Sequence, residues 1–389
     1  MKENLIIIGN GAAGNSALEA IVSHPHNFEI TVITSESTPI YYRPMLSEYV
    51  SEPNIPKRFY LHDENWYNSH NVKVMYNTLV NAIDSQTQKI TLEDSSILSY
   101  DKLIITTGSK NFIPPLPGAD KENVLNLRTL NDAEAIKSKA ASSKSAVIIG
   151  GGLLGLELGW QLRKLNIEVT VLEMMQRLLP RQLDEEASEL FEQKVSATGI
   201  NVLKGVQTQE IYGDQSAAGV RLVSGEQIDA DMVIFSIGIR ADVQLAKTGN
   251  LKIERGIVVN DFMETTEKNI YAAGDCVEYA GVNYAIWPEA VEQGKVAGLN
   301  ALGLRTVYEP VVPFNIYNGM NMRLFSIGDV GSNPANQYTI KKKGDSEAFE
   351  KYFFINNRLV GGILIGNISK SGNLKKAVVN GSPISDFED

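Results

Sequence analysis

One cysteine, Cys276, and four histidines are all that 389 residues hold of the usual thiol and imidazole chemistry. A single thiol excludes an internal disulfide, a cysteine-ligated cluster and a cysteine zinc site within the chain. The scattered histidines offer no ligand spacing, so no metal centre is expected. Long apolar runs are also missing. Hydrophobic stretches are short and broken by glycine, which argues against a membrane span. The start, MKENLIIIGNG, resembles the opening of an export signal but runs into a glycine turn without a cleavage site, so it reads as a buried strand. Positive charge is in deficit: the formal net charge is −10, which disfavours a nucleic-acid backbone as partner. What remains is a globular enzyme of two or three domains, with the cytoplasm as its default location.

Glycine, by contrast, is placed with purpose. LIIIGNGAAG runs from Leu5 to Gly14 and AVIIGGGLLG from Ala146 to Gly155. Each is a short apolar strand pattern ending in G-x-G-x-x-G and passing into helix-favouring sequence, the phosphate-cradling turn of a dinucleotide-binding βαβ unit. Gly9 and Gly150 make the tight turns. Gly11 and Gly152 let backbone approach a pyrophosphate, and Gly14 and Gly155 let the helix sit close to its strand. Ala13 and Leu154 complete the two cradles, whose helix N-termini offer free N–H groups to phosphate. Two such turns imply two dinucleotides and electron transfer between them.

Each turn has an acidic companion. Glu173 ends IEVTVLE, eighteen residues past Gly155, where a carboxylate accepts bonds from ribose hydroxyls and repels a 2′-phosphate. That favours NADH over NADPH, with Arg177 nearby to soften the repulsion. Glu36 lies twenty-two residues past Gly14 and two beyond Thr34, the expected strand-end position, and is assigned as the other ribose partner. A strand-end glutamate alone is usually a solvated acid; its pairing with a glycine turn favours the ribose role.

The order of elements suggests an α/β fold: two Rossmann-like dinucleotide-binding domains, one inserted in the other, plus a small α+β C-terminal domain. After the first strand–helix–strand, VKVMYN and KITLED read as paired strands and KLIITTGS as a buried strand. IPPLPGAD reads as a linker, NDAEAIKSKAA as a helix, and ADMVIFSIG as the strand closing the insertion. KNIYAAGDC resumes the first domain and EAVEQGKVAGLNALG follows as a helix. From Val311, alternating segments read as an antiparallel sheet with a terminal helix. The boundaries are 1–113 and 242–310 for the interrupted domain, 114–241 for the inserted one and 311–389 for the last.

The ordered motifs GNGAAG, TTGS, GGGLLGLE, SIG and AAGDC resemble the FAD- and NAD(P)-dependent pyridine nucleotide oxidoreductases across essentially the whole chain. YYRPMLSEYV and LRTLNDA are similar to the branch holding NADH:rubredoxin oxidoreductase and the N-terminal part of nitrite reductase large subunits. The resemblance implies FAD in the interrupted domain and NADH in the inserted one. It implies that Asp275 accepts a bond from the FAD ribityl chain, that Gly274 allows close backbone approach, and that Thr107 and Gly108 floor the flavin site. Arg43 and Pro44 would flank the flavin or its diphosphate, with Arg43 supplying charge. Val80 and Arg128 are further cofactor contacts. A helix starting near Glu289 would point its N-terminus at the flavin pyrimidine edge, shielded by Trp287. Glu157, taken to lie in the first turn of its helix, would sit beside the nicotinamide carboxamide. Gly238 would let the second nucleotide pack.

Hydride transfer from nicotinamide C4 to flavin N5 needs stacking and water exclusion, so no catalytic side chain is expected. Thiol-using relatives carry a cysteine where this chain has Ser47 and Glu48, which disfavours disulfide and sulfenic-acid chemistry. The implied function is reduction of FAD by NADH followed by single-electron delivery to a small iron–sulfur protein such as rubredoxin or ferredoxin. The alternatives are an electron-input subunit of a larger redox complex and an NADH oxidase. Lys341–Lys343 and Lys375–Lys376 could dock an acidic carrier, although a solvated surface explains such runs as well.

Overall fold

The computed structural model describes residues 2–345 and 347–387. The chain divides into two compact units, each built from three segments. The first comprises Met1–Met45, Pro56–Lys110 and Ile239–Val311; the second comprises Leu46–Ile55, Asn111–Gly238 and Val312–Asp389.

Each unit is organised by a five-stranded parallel sheet, and the two sheets repeat one plan. In the first, Glu3–Ile8 lies between Phe28–Ile33 and Lys102–Ile105. Val72–Met75 and Ile270–Ala272 form its edges. In the second, Ser145–Ile149 lies between Glu168–Glu173 and Met232–Phe235, with Asn201–Lys204 and Val124–Asn126 outermost. The central strands are buried runs of Ile, Leu, Val and Ala, as a sheet covered on both faces requires. The helix after each central strand, Ala12–Val22 in one unit and Leu153–Lys164 in the other, gives the right-handed crossover to the next strand. Each unit also carries a three-stranded antiparallel sheet: Val80–Asp84, Lys89–Leu92 and Ile97–Ser99 in the first, and Thr208–Tyr212, Gly219–Leu222 and Gln227–Asp229 in the second.

Small residues set the closest helix contact of the first unit. A Cβ on Gly294 would meet Ala13 O at 2.1 Å, and one on Gly298 would meet Ala17 O at 2.5 Å. Helix Trp287–Ala301 thereby lies directly against Ala12–Val22. In the second unit, Phe314–Gly319, Met322–Gly328, Arg358–Ile365, Phe349–Ile355 and Thr339–Lys343 form an antiparallel sheet in that spatial order. Helix Ser371–Asn380 ends at Gly381 in the left-handed conformation and buries Leu374 and Val378.

Two local expectations change. VKVMYN and KITLED do not pair: Val72–Met75 extends the parallel sheet beside Phe28–Ile33, while Lys89–Leu92 belongs to the small antiparallel sheet. Residues 46–55, read from the sequence within the first domain, cluster with the second unit. Ser51 Oγ donates to Gln161 Oε1 at 2.6 Å, and Lys137 Nζ donates to the carbonyls of Tyr49 and Glu52.

Candidate functional site

The two glycine turns share their backbone bonds to the flanking strands. Gly9 N–H donates to Ile33 O and Gly150 N–H to Leu172 O, both at 2.8 Å. Thr106 N–H donates to Ile8 O and Ser236 N–H to Ile149 O, again both at 2.8 Å. The glycines then divide by what surrounds them. A Cβ on Gly9 would lie 2.2 Å from Thr106 O, and one on Gly150 would lie 2.2 Å from Ser236 O. On Gly14 and Gly155 it would meet the Gly9 and Gly150 carbonyls at 2.0 and 2.4 Å. These four positions are glycine because the protein's own backbone fills the space. Gly11 and Gly152 are different: nothing lies within 4 Å of a Cβ on either. Both are extended, at φ −91° and −77°, where any residue fits. Protein packing does not ask for glycine there.

Both helices begin with no side chain capping their N–H groups and no acidic residue in the first turn. Free donors, a positive dipole end and open space at the second glycine fit the diphosphate of a dinucleotide. Gly238 matches this reading, with φ +99° and nothing within 4 Å of a Cβ. Thr106 and Ser236, which back the cradles, were not singled out from the sequence. Their signal is a shared pattern, T-x-G and S-x-G, closing the third strand of each unit.

In the second unit, Glu173 stands at the end of Glu168–Glu173. Its Oε2 accepts Gly151 N–H and its Oε1 accepts Met175 N–H, each at 2.8 Å. The acid is therefore locked beside the glycine turn. Arg177 donates to Pro180 O at 3.3 Å, and its buried Nε has no hydrogen-bond partner among the described residues. Leu154 is exposed on the first helical turn. Arg128 lies in this unit, just before helix Leu130–Ala140, where its N–H and Thr129 N–H both donate to Asp132 Oδ2.

Glu157 is not in the first turn; it is the fifth residue of Leu153–Lys164. Burial pushes its carboxyl up to about 7, helped by the like charge of Glu48 and opposed by a hydrogen bond from Ser47. An unfolded carboxyl near the ordinary 4.5 releases its proton first, so the folded state holds the extra proton between about 4.5 and 7. Stability through this group falls as pH rises across that window and is level above it. The melting temperature of Glu157→Gln relative to the parent is expected to rise across the same window, which thermal denaturation over a pH series will check.

In the first unit, Glu36 accepts from Arg43 Nη2 at 2.7 Å and from Tyr41 OH at 2.5 Å. Burial works against the Arg43 charge, yet Tyr41, Glu36 and Asp275 around it outweigh that cost and raise its pKa. Arg43 opens a single helical turn, Arg43–Met45, and the adjacent Pro44 is exposed. Asp275 Oδ2 accepts from Ser109 Oγ at 2.9 Å, and Asn283 Nδ2 donates to Asp275 O at 2.8 Å. Thr107 Oγ1 donates to Asp242 O at 2.8 Å, next to Gly108 at φ +72°. Gly274 has φ +85°, and a Cβ there would strike Ala13 Cβ at 2.8 Å. Its N–H donates to the buried Gln293 Oε1 at 2.9 Å. Tyr41, Ser109 and Gln293 are supporting residues that lie within the quoted motifs and segments but were not singled out. Val80 begins the antiparallel sheet of this unit, half-buried.

Helix Trp287–Ala301 starts without a side-chain cap, its Trp287 ring edge-on to Tyr42 at 5.0 Å. Glu289 is 1% exposed, and its carboxylate accepts from Tyr308 OH and Val311 N–H. Cys276 is fully buried, with Sγ 3.3 Å from Ala273 O, and burial pushes its thiol up to about 11. A thiol so placed is inert. Two lysines of the 341–343 run are matched by acids: Lys342 pairs with Glu186 at 2.7 Å, and Lys343 lies opposite Glu350. Lys375 sits over the Phe314 ring. No helix of the described residues is long and apolar enough to cross a membrane.

Residues 3–294 match the family of pyridine nucleotide-disulphide oxidoreductases, and residues 313–382 match the C-terminal domain of rubredoxin NAD+ reductase. The chain is 34% identical over 388 residues to a nitrite reductase [NAD(P)H] of Bacillus subtilis, covering 99% of this chain and 48% of that protein. It is 30% identical over 374 residues to an NADH-rubredoxin oxidoreductase of Clostridium acetobutylicum, covering 96% of this chain and 94% of that one. The crystal structure of NADH:rubredoxin oxidoreductase from Clostridium acetobutylicum superposes with a TM-score of 0.83 at 28% identity, covering 100% of this chain and 98% of that chain. The chain spans about half the length of its nitrite and nitrate reductase relatives.

Proposed function

Because this chain belongs to the pyridine nucleotide-disulphide oxidoreductase family, whose members imply FAD and NADH as cofactors, we propose that it is an NADH-dependent flavoprotein reductase serving a small iron–sulfur protein. The observation that carries this reading is the repeated cradle, packed at its first and third glycines and open at its second. FAD held here would supply the chemistry of accepting a hydride pair from NADH and releasing single electrons. The protein's part is to bind, orient and charge-balance. Gly11 and the uncapped start of Ala12–Val22 would hold the FAD diphosphate, with Glu36 at the ribose and Asp275 at the ribityl chain. Gly152 and the start of Leu153–Lys164 would hold the NADH diphosphate, and Glu173 its adenosine ribose. The uncapped start of Trp287–Ala301 supplies a positive dipole end that favours negative charge on a reduced flavin ring.

An electron carrier as acceptor, rather than a thiol, accords with the lone, buried, unreactive Cys276. A second reading, an electron-input part of a larger redox enzyme, draws on the half-length match to nitrite reductases. We place the activity in the cytoplasm, where NADH is available. Anaerobic stopped-flow tests the choice. Flavin reduced by NADH should be reoxidised quickly by rubredoxin or ferredoxin; flavin that reduces but stalls with both supports the second reading.

A further inference from the structure

The first unit carries an exposed aromatic and cationic patch that none of the cofactor contacts above uses. Residues 40–42 and 59–61 run alongside each other: Tyr42 N–H donates to Phe59 O at 2.7 Å, Leu61 N–H to Ile40 O at 3.0 Å, and Tyr41 bridges Tyr60. This tie leaves Tyr42, Tyr60 and Leu61 37%, 36% and 41% exposed, three large side chains on two neighbouring segments. Tyr42 touches Trp287 at the helix start and is chain neighbour to Arg43. Lys57 and Arg58 flank the same tie, both exposed, and neither side chain has an ion pair or hydrogen bond among the described residues. Arg58 holds φ +63°, a left-handed conformation that arginine adopts at a cost and asparagine or glycine would not. Unlike Lys342, which is paired with Glu186, this positive charge is unspent on a chain of net charge −10.

Resting on the electron-carrier reading, we infer that Lys57 and Arg58 with the Tyr42–Tyr60–Leu61 surface form the docking site for a small acidic iron–sulfur protein. The cations steer the carrier, and the aromatic ledge seats it beside the helix start at Trp287. A second copy of this chain is the alternative occupant, which gel filtration separates from the carrier. One NADH and two oxidised carriers become one NAD+, one proton and two reduced carriers; in each carrier one ferric ion becomes ferrous.

The test compares the parent holoenzyme with Lys57→Glu/Arg58→Glu and with Lys57→Gln/Arg58→Asn, the second relieving the left-handed arginine so that folding is not at stake. Rubredoxin, ferredoxin and the neutral quinone menadione serve as acceptors over a salt series. We expect carrier kcat/KM at low salt to fall about tenfold or more in the charge-reversed protein. Its salt dependence should flatten, with NADH-driven flavin reduction and menadione turnover unchanged. Carrier kinetics and salt dependence identical to the parent overturn the inference, as does a change confined to self-association in gel filtration. A parent that reduces menadione but neither carrier overturns the electron-carrier reading itself, a separate result visible before any variant is made.

Discussion

Gly11→Ala is expected to fold like the parent and to lose its flavin. Its Cβ meets nothing in the protein, and the backbone there suits alanine. In the proposed site the added methyl would stand where a pyrophosphate approaches N–H groups. Charge-assisted hydrogen bonds of this kind are worth roughly 1.5–3 kcal/mol each, so loosening one lowers FAD affinity about ten- to a hundredfold. Gly14→Ala should behave in the opposite way, because its Cβ would lie 2.0 Å from Gly9 O. Overpacking against backbone costs about 1–3 kcal/mol, and the variant should melt earlier even without flavin. Gly152→Ala completes the set: flavin retained, KM for NADH raised. Apoprotein melting, flavin content and NADH kinetics on the three variants separate ligand-required from fold-required glycines. A Gly11→Ala protein that keeps full flavin would remove the distinction.

Glu173→Gln is the second variant with a large expected effect. The carboxylate is held by Gly151 N–H and Met175 N–H, and it faces no neutralising lysine or arginine bond among the described residues. Its charge at a few ångströms from a 2′-phosphate repels by on the order of a few kcal/mol at an effective dielectric of about 20. The amide keeps an acceptor oxygen but not the charge. The ratio of kcat/KM for NADH over NADPH should therefore drop about a hundredfold, mainly through better use of NADPH. Glu173→Ala should lose the anchor as well and raise KM for both nucleotides. An unchanged ratio in Glu173→Gln would assign the preference to another residue, with Arg177 next to be examined.

Much of this was legible in the amino-acid order because backbone demands glycine where it collides with itself. The two cradles, their central strands and the acid after each could be placed from Gly9–Gly14, Gly150–Gly155, Glu36 and Glu173. Pairing was harder. Val72–Met75 and Lys89–Leu92 are both short, partly buried strands, and their composition does not separate a parallel sheet edge from an antiparallel meander. Glu157 was misplaced because its helix begins at Leu153, before the last glycine of the turn, and its burial depends on tertiary partners such as Ser47. The Lys341–Lys343 run looked basic because Glu186, more than 150 residues earlier, is invisible to local charge counting.

An anaerobic titration of the purified protein with NADH, followed by visible absorbance, reaches the central claim most directly. After reconstitution with FAD the protein should bind one flavin per chain, and one equivalent of NADH should bleach it. A chain that stays colourless in excess FAD, or whose bound flavin NADH leaves unbleached, would contradict the account.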